Sequence, residues 1–278
     1  MYRRQLVSLA LLNELERRNR LSRTVEDKIL FLMEKEKYVG DKIPFYSFFP
    51  HKYGPFSLKY YDDLRYLAKE GYIENRSCRL TPKGKKMVKG YPLFDAEIYY
   101  FIEKYPARDE LVEYVYKNYK EYTIRSELKP HKKTQEKGIC TVGYEKKNID
   151  SFLNTLIQNN VDIVIDTRKN AFSMNYDFGK QKLNHSLTIG EIEYHHFPEL
   201  GIESEERKNL KERKDYLDLF KKYRKRLPKH QETLNKIKEM SRNKKVALLC
   251  FEKNRKDCHR WELARYFEKT STPVKEIE

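Results

Sequence analysis

The sequence predicts an α/β protein in which a mostly α-helical, winged-helix domain precedes a Rossmann-like domain with a parallel sheet. Helical patterns dominate the N-terminal part of the chain and end in a short hairpin pattern. Two continuous apolar runs, VDIVIDTR (161–168) and KVALLCFE (245–252), are typical of strands buried in a parallel sheet. Strand and helix patterns alternate from residue 139 onward, which indicates right-handed crossover units.

The composition excludes several classes of protein. The chain has 278 residues, which is enough for about two domains. Its 22 tyrosines and 14 phenylalanines can fill cores, so the chain is not disordered throughout. No apolar run is long enough for a membrane span. Four unevenly spaced cysteines give no disulfide framework, so we expect a cytoplasmic protein without a membrane partner.

The chain carries a formal net charge of +16. The basic excess lies in residues 1–90 and 139–278, on either side of a neutral middle. Such an excess predicts two surfaces that meet a polyanion, so nucleic acid is the expected partner, with DNA favoured over RNA. The alternative is a solvated basic surface that has no partner.

Residues 1–90 are expected to form the first domain. Two amphipathic helices fill residues 5–38, and an aromatic segment with a Gly-Pro breaker follows at 45–57. Ser57 is a suitable N-cap for a third helix. The stretch YIENRSCRLT (72–81) alternates around a turn and predicts a hairpin.

This order of helices and hairpin resembles small winged-helix modules. The residues that match their YGPxS…L…L…G.I…LT..G pattern are Tyr53, Gly54, Pro55, Ser57, Leu64, Leu67, Gly71, Ile73, Leu80, Thr81 and Gly84. The resemblance implies a third helix that lies in a DNA major groove. The cations expected to contact nucleic acid are Lys52, Lys59, Arg65, Lys69, Arg76 and Arg79. Acidic residues on the same helix predict that it would recognise DNA bases only weakly. Winged helices also serve as protein-contact modules, so a protein-binding role for this domain stays open.

Residues 91–138 predict a helical connector and linker. The segments AEIYYFIEKY and ELVEYVYKNYKEY are amphipathic, and the polar stretch 126–138 contains Pro130, which is typical of an interdomain linker. Residues 139–278 then form the α/β domain. Its strands are predicted at ICTVGYE, VDIVIDTR, residues 192–197 and KVALLCFE, with helices between them and a last helix that begins at CHRW.

In open α/β sheets, ligands bind at the carboxyl ends of the strands. The polar residues that the sequence places there are Thr141, Tyr144, Glu145, Asp166, Arg168, Ser173, Tyr194, His195, His196, Glu252, Cys258, His259 and Arg260. Carboxylates, imidazoles and guanidiniums at one edge bind an anion and move a proton. Burying charged side chains costs free energy unless they are paired, so a core has no need of the segments DTR (166–168) and DCHR (257–260). Their presence therefore favours a functional role. A purely structural pair of Asp166 and Arg168 stays open.

Several segments of this domain carry a family resemblance. They are TVGYE (141–145), DTRKNAFS (166–173), IEYHHFPELGI (192–202) and LLCFEKNRKDCHR (248–260), together with Phe178, Leu183 and Arg207. On these segments, residues 140–267 resemble the uncharacterised family catalogued as domain of unknown function number 488. One departure is Ala171, where many relatives have proline. The resemblance implies a fold and the location of a site, and it implies no activity.

The expected catalytic residues are Asp166, Glu252, His259 and Cys258. Asp166 or Glu252 would be the general base, and His259 the acid or the orienting residue. Cys258, at a helix start beside cationic neighbours, would be a reactive thiolate, whereas Cys250 is expected to be an inert core residue. The expected substrate contacts, with the two arginines as anion clamps, are Thr141, Tyr144, Arg168, Ser173, Tyr194 and Arg260.

No cofactor or metal is predicted. The spacing of cysteine and histidine is not that of a zinc site, and no CxxC pair occurs. The sequence also lacks the GxGxxG, Walker A and HExxH patterns of dinucleotide, P-loop and zincin sites.

The favoured function is a nucleic-acid-directed hydrolase or transferase that acts on a phosphate- or sugar-bearing group at the strand-end cleft. Paired carboxylates slightly favour glycosidic chemistry on a nucleotide or base. One alternative is a DNA-binding regulator whose α/β domain senses a small anionic ligand or nucleotide. A second alternative is a thiol enzyme that uses Cys258. A strand-end cysteine after DTR also resembles rhodanese-type sulfurtransferases, but their phosphate-cradle loop is not evident.

Overall fold

The computed structural model divides the chain into two compact units, Met1–Lys132 and Lys133–Glu278. The residues that it describes are 1–37, 39–75, 77–91, 94–128, 136–208, 210, 212–253, 258–269 and 274–277. Among them, no helix combines the length and the apolar content needed to cross a membrane. Arg76, one of the predicted nucleic-acid contacts, lies outside the described residues.

The first unit is mostly helical. Its helices are α1 (Arg3–Arg17), α2 (Arg23–Lys37), α3 (Val39–Lys42), α4 (Leu58–Lys69), α5 (Pro82–Gly90), α6 (Asp95–Lys104) and α7 (Arg108–Asn118). A short antiparallel hairpin pairs β1 (Phe49–His51) with β2 (Gly54–Phe56). Ser57 caps α4 as predicted, because its side chain accepts a hydrogen bond from the amide of Tyr60 at 3.2 Å. The apolar faces of α1 and α2 form the core, in which Leu11 and Phe31 are fully buried.

The winged-helix prediction for residues 1–90 is not confirmed. At 72–81, where the sequence predicts a hairpin, Ile73 and Leu80 form one isolated bridge, flanked by backbone hydrogen bonds from the Thr81 amide to Tyr72 and from the Glu74 amide to Arg79. Cys78 takes a positive φ of 55°, which turns the backbone out of the extended conformation that a strand ladder requires. The described residues between α4 and α5 therefore contain no regular wing, and the resemblance stays a prediction.

The predicted connector contributes its helices to the first unit. α6 and α7 bury Phe101, Leu111 and Val115. These side chains belong to the same core as those of α1 and α2. The apolar face of this amphipathic segment is therefore used for packing.

The second unit is an α/β domain with a parallel sheet, as predicted. Its strands are β3 (Gly138–Gly143), β4 (Ile163–Asp166), β5 (Glu193–His196), β6 (Lys245–Cys250) and β7 (Val274–Glu276). They pair in the order β5-β4-β6-β3-β7, and every pairing is parallel. The helices are α8 (Ile149–Gln158), α9 (Lys180–Ile189), α10 (Arg213–Arg226), α11 (Gln231–Met240) and α12 (Arg260–Lys269). The Rossmann-like prediction is confirmed at this level.

The strand order decides where the helices lie. The chain passes from β3 to β4 and β5 in one direction, returns to the centre at β6, and then crosses to β7. Because such crossovers are right-handed, α8 and α9 cover one face of the sheet, and α10, α11 and α12 cover the other. The second group shares a core with the sheet that includes Phe220, Ile237 and Leu263.

β6 is the central strand, and all six of its residues are buried. Its Leu249 pairs with Asp166 of β4, and its Cys250 pairs with Gly143 of β3. The carboxyl ends of three strands therefore meet at one edge of the sheet. Side chains that follow these strands are brought together there.

Gly143 tests how tightly this edge is packed. A Cβ atom at Gly143 would lie 2.1 Å from the carbonyl oxygen of Glu252 and 3.0 Å from a guanidinium nitrogen of Arg260. We expect Gly143→Ala to lower the free energy of unfolding by about 1–3 kcal/mol, because overpacking forces the backbone to shift. Urea unfolding of the full chain, followed by the fluorescence of its single tryptophan, Trp261, measures this decrease. Gly179→Ala is the control, since its nearest contact is at 3.4 Å, and an equal decrease in both variants would contradict the packing account.

Candidate functional site

A cavity of about 430 Å³, here called the strand-end pocket, opens beside the ends of β3, β4 and β6. Its described lining residues are Tyr144, Lys146, Lys147, Arg168, Lys169, Asn170, Phe172, Ser173, Met174, Asn175, Ile202, Ser204, Arg207, Cys250 and Phe251. Five of these lining residues are basic, and none of them is acidic. The strand-end pocket therefore presents a positive field to a ligand.

Arg168 lies in the wall of the strand-end pocket and is held firmly. Its guanidinium donates to the two carboxylate oxygens of Asp166 at 2.8 and 2.6 Å, which makes a bidentate pair. The remaining nitrogen donates to the Tyr144 hydroxyl at 2.8 Å and to the Phe178 carbonyl at 2.9 Å. The ring of Tyr144 stacks on that of Phe178 at 4.2 Å. Arg168 is therefore oriented before any ligand binds.

The Asp166 carboxylate is fully buried and fully engaged. Besides the two guanidinium bonds, it accepts hydrogen bonds from the Arg168 amide at 3.1 Å and from the Tyr194 hydroxyl at 2.7 Å. Four donors leave it poorly placed to take a proton from a substrate. These contacts favour a structural role for the ion pair of Asp166 and Arg168, to which the Tyr194 hydroxyl adds a hydrogen bond. The catalytic role of Asp166 stays a prediction.

Four side chains at the end of β6 and the start of α12 form what we call the reactive cluster: Cys250, Glu252, Cys258 and His259. The Cys250 sulfur lies 3.1 Å from Oε2 of Glu252 and 3.7 Å from Nδ1 of His259. The Cys258 sulfur lies 3.8 Å from the same nitrogen. The two cysteines and His259 are each 1% exposed. Cys250 also lines the strand-end pocket, so the reactive cluster reaches the wall of that pocket through this one residue.

A hydrogen bond on the far side of the ring orients His259. Its Nε2 lies 3.2 Å from the carbonyl oxygen of Thr167, which accepts only from a protonated nitrogen. Nδ1 then carries a lone pair that faces the two sulfurs. Arg207 donates to this Nδ1 from 3.3 Å, which agrees with the same tautomer. Thr167 is itself fixed, because its hydroxyl donates to the Leu249 carbonyl of β6 at 2.9 Å.

Electrostatics distinguishes the two thiols. A hydrogen bond from Cys258, aided by His259, holds the pKa of Cys250 well below its ordinary value. Burial, reinforced by the neighbouring Cys250, raises the pKa of Cys258 well above its ordinary value. Burial and Cys250 also raise the pKa of Glu252. The two pKa shifts run in opposite directions, and the lowered pKa belongs to Cys250, where the sequence pattern predicts an inert residue.

Two predicted substrate contacts are not among the described lining residues of the strand-end pocket. Arg260 is fully buried and donates to the carbonyls of Glu252 at 2.5 Å and Lys253 at 2.9 Å, so it holds the chain that leaves β6. Thr141 is buried in β3, and its hydroxyl has no hydrogen-bond partner among the described residues. Substrate contact by Arg260 and Thr141 stays a prediction that their surroundings do not favour. Ser173, in contrast, lines the strand-end pocket.

The predicted nucleic-acid contacts lie on the first unit in different surroundings. Lys52 and Arg65 each form an ion pair with a carboxylate of the same unit. Lys59 is half-buried, whereas Lys69 and Arg79 are exposed. Part of the predicted set is therefore accessible to a polyanion.

Sequence reasoning missed several residues of the strand-end pocket. Its basic wall includes Lys146, Lys147 and Lys169, which come shortly after β3 and β4. Their position after a strand is the signal that would have found them. Because Cys250 ends an apolar run, the sequence pattern predicts that it lies in the core. It is the last residue of β6, however, and so reaches the edge of the sheet.

Residues 148–267 match the model of a family described as Domain of unknown function DUF488. Residues 148–267, in the C-terminal half of the chain, therefore form the DUF488 match, here called the DUF488 domain. The match begins at the N-cap of α8, so it leaves out β3 and Tyr144, whereas it contains the reactive cluster, Arg168 and Arg207. The chain matches no curated protein and no solved structure. The DUF488 description names no activity.

The buried pair in the DUF488 domain gives a stability prediction. Asp166→Asn leaves the Arg168 guanidinium buried without its counter-charge, and breaking a buried pair in this way costs about 3–5 kcal/mol. We expect the free energy of unfolding to fall by about that amount, measured by urea unfolding with Trp261 fluorescence. The control is Glu232→Gln, which removes an exposed helix pair with Lys236 and should leave the unfolding midpoint unchanged. An Asp166→Asn variant as stable as the wild type would show that this pair does not hold the pocket wall.

Proposed function

We propose that the DUF488 domain is a hydrolase or transferase whose substrate carries a phosphate- or sugar-bearing group. The observation that supports this most is that five basic residues and Cys250, a member of the reactive cluster, line one cavity. The basic residues are Lys146, Lys147, Arg168, Lys169 and Arg207. Cations held in advance bind an anionic group, and carboxyl and imidazole groups beside them transfer protons.

Exposed apolar side chains beside these cations favour a substrate that also has a ring. Phe172 is 76% exposed, Met174 is 96% exposed, and both line the strand-end pocket. Phe251, another lining residue, is 47% exposed. Clustered apolar surface of this kind marks ligand-binding grooves, and aromatic rings stack on bases. A nucleotide offers a phosphate to the cations and a base to these side chains, so it is the substrate class that we favour.

The roles within the proposal follow from position. Arg168 and Arg207 bind the anionic group, and Glu252, beside Cys250, transfers the proton. A regulator that senses an anionic ligand would use the same strand-end pocket without turnover. A thiol enzyme based on Cys258 is not favoured, because Cys258 is buried and is not among the lining residues.

Arg207 is the lining cation best suited to a test, because 37% of its side chain is exposed and its removal should spare the fold. We expect adenosine monophosphate to bind the full chain. Arg207→Gln should weaken that binding about ten- to hundredfold, since a hydrogen bond to a charged group contributes about 1.5–3 kcal/mol. Isothermal titration calorimetry measures both affinities. The matched control is Arg242→Gln, an exposed arginine outside the strand-end pocket, and equal affinities in all three proteins would contradict the proposed anion site.

Turnover separates the enzyme from the ligand sensor. Chromatography of adenosine monophosphate or a short oligonucleotide after incubation with the protein detects released phosphate or base. Glu252→Gln is expected to abolish this release while the nucleotide still binds. Binding without release from either compound would contradict the hydrolase and support the sensor.

We also propose that the first unit brings the chain to nucleic acid. The support is a set of exposed cations on α4, on α5 and between them: Arg65, Lys69, Arg79, Lys83, Lys85, Lys86 and Lys89. Such cations bind backbone phosphates and release counterions. Exposed Glu70 and Glu74 lie among them, so we expect weak binding without sequence preference.

Nucleic-acid binding can be tested through its salt dependence. The test variant is the triple Lys85→Gln, Lys86→Gln and Lys89→Gln. The control makes the same change of net charge on the second unit and is the triple Lys214→Gln, Lys221→Gln and Lys229→Gln. The test variant should bind duplex DNA more weakly, with a salt slope reduced by about 0.9 for each phosphate that the protein no longer neutralises. Fluorescence anisotropy over a series of salt concentrations measures the slope. If the test variant and the control variant lose DNA affinity equally, the net charge of the protein accounts for the binding, and the cations of α5 do not.

A further inference from the structure

Cys250, Cys258 and His259 form a compact group of metal-ligand side chains in the described part of the chain. Their donor atoms all lie within 4.8 Å of one another, and all three side chains are buried. We propose that these three residues bind a zinc ion. The proposal rests on the ligand geometry and does not depend on the substrate proposed above.

The distances within this group fit a shared tetrahedral ion. Zinc bonds of about 2.3 Å to sulfur and about 2.0–2.1 Å to nitrogen place a sulfur ligand and a nitrogen ligand about 3.6 Å apart. The sulfurs of Cys250 and Cys258 lie 3.7 and 3.8 Å from Nδ1 of His259. A single nitrogen lone pair thus faces two sulfurs at nearly equal distance, which suits one ion between them better than a hydrogen bond to either thiol.

The groups around the three ligands also fit a metal site. Metal-bound histidines usually donate their other ring N–H to a carbonyl or carboxylate, and Nε2 of His259 donates to the Thr167 carbonyl at 3.2 Å. The backbone amide of Arg260 donates to the Cys258 sulfur at 3.5 Å, a contact that stabilises a thiolate ligand. The ligand atoms are thus held in place by the Thr167 carbonyl, directly after β4, and by the Arg260 amide at the start of α12.

The ligand set points to zinc and to an open coordination position. Two sulfurs and an imidazole favour zinc over magnesium or calcium, which prefer oxygen. Three protein ligands leave the fourth tetrahedral position for water or substrate, as in catalytic zinc sites. Cys250 lines the strand-end pocket, and Glu252 lies beside it. The ion would supply the strand-end pocket with a Lewis acid, and this one consequence rests on the proposed function.

Arg207 competes for the same lone pair. Its Nη2 lies 3.3 Å from Nδ1 of His259, where a zinc ion would need that nitrogen. Because Arg207 is partly exposed and lines the strand-end pocket, it can swing toward a bound anion when the ion occupies the site. Arg207→Gln should therefore keep zinc binding, although it weakens nucleotide binding.

The test uses the full chain, reduced and stripped of metal by a chelator, then titrated with Zn²⁺ against a chromogenic chelator. We expect one ion per chain. Cys258→Ser should lower the affinity more than about a hundredfold, since removal of even an outer partner costs about 10–100-fold. The matched control is Cys140→Ser, which replaces a buried sulfur of β3 outside the ligand group and should leave the affinity unchanged. With Co²⁺, the wild type should show the visible absorption of a tetrahedral ion and thiolate charge-transfer bands.

Circular dichroism and Trp261 fluorescence show whether each variant is folded. If Cys258→Ser does not fold, the Co²⁺ spectrum of the wild type is the test of the metal site. A spectrum without thiolate charge-transfer bands overturns the proposal. Wild-type protein that binds no metal while its four thiols are free overturns it as well. So does a folded Cys258→Ser variant that binds zinc as tightly as the wild type. Because Arg207→Gln should retain zinc, failure of the nucleotide site and failure of the metal site give different results.

Discussion

The pairing of β6 between β4 and β3 is the constraint on which the second unit depends. β6 is buried along its whole length, so the chain gains most from this strand when apolar layers cover both of its faces. Parallel pairing then fixes the ends of the three strands at one edge. Arg168 after β4, Tyr144 after β3 and Cys250 at the end of β6 meet there as a result, although they lie far apart in the sequence.

The charged residues at this edge divide into two groups with different tasks. Asp166, Arg168 and Arg260 are buried, and each is engaged by hydrogen bonds, because a buried charge without a partner is strongly unfavourable. Arg168, held by Asp166, forms part of the pocket wall, and Arg260 holds the chain that follows β6. Cys250, a member of the reactive cluster, lines the strand-end pocket. A rigid charged frame around a small set of reactive groups is what a binding or catalytic site requires.

The sequence predicts the sheet and the edge at which the site lies, because apolar runs and strand order depend on burial, which the residue pattern records. It does not predict the partners of each side chain. Asp166 is expected to be a base because it follows a strand, but the side chains of Arg168 and Tyr194, with the Arg168 amide, occupy its oxygens. Cys250 and Cys258 lie eight positions apart in the sequence and lack the usual zinc spacing, so only the fold shows that their sulfurs face one nitrogen.

The central claim is that the end of β6 and the start of α12 bring three donor atoms into one buried group. X-ray absorption at the zinc edge of the full chain, loaded with one equivalent of Zn²⁺, tests this claim most directly. The account predicts two sulfurs at about 2.3 Å and a histidine nitrogen at about 2.0–2.1 Å from the ion. A first shell that contains only oxygen and nitrogen would contradict it, since the two thiols would then not meet at this site.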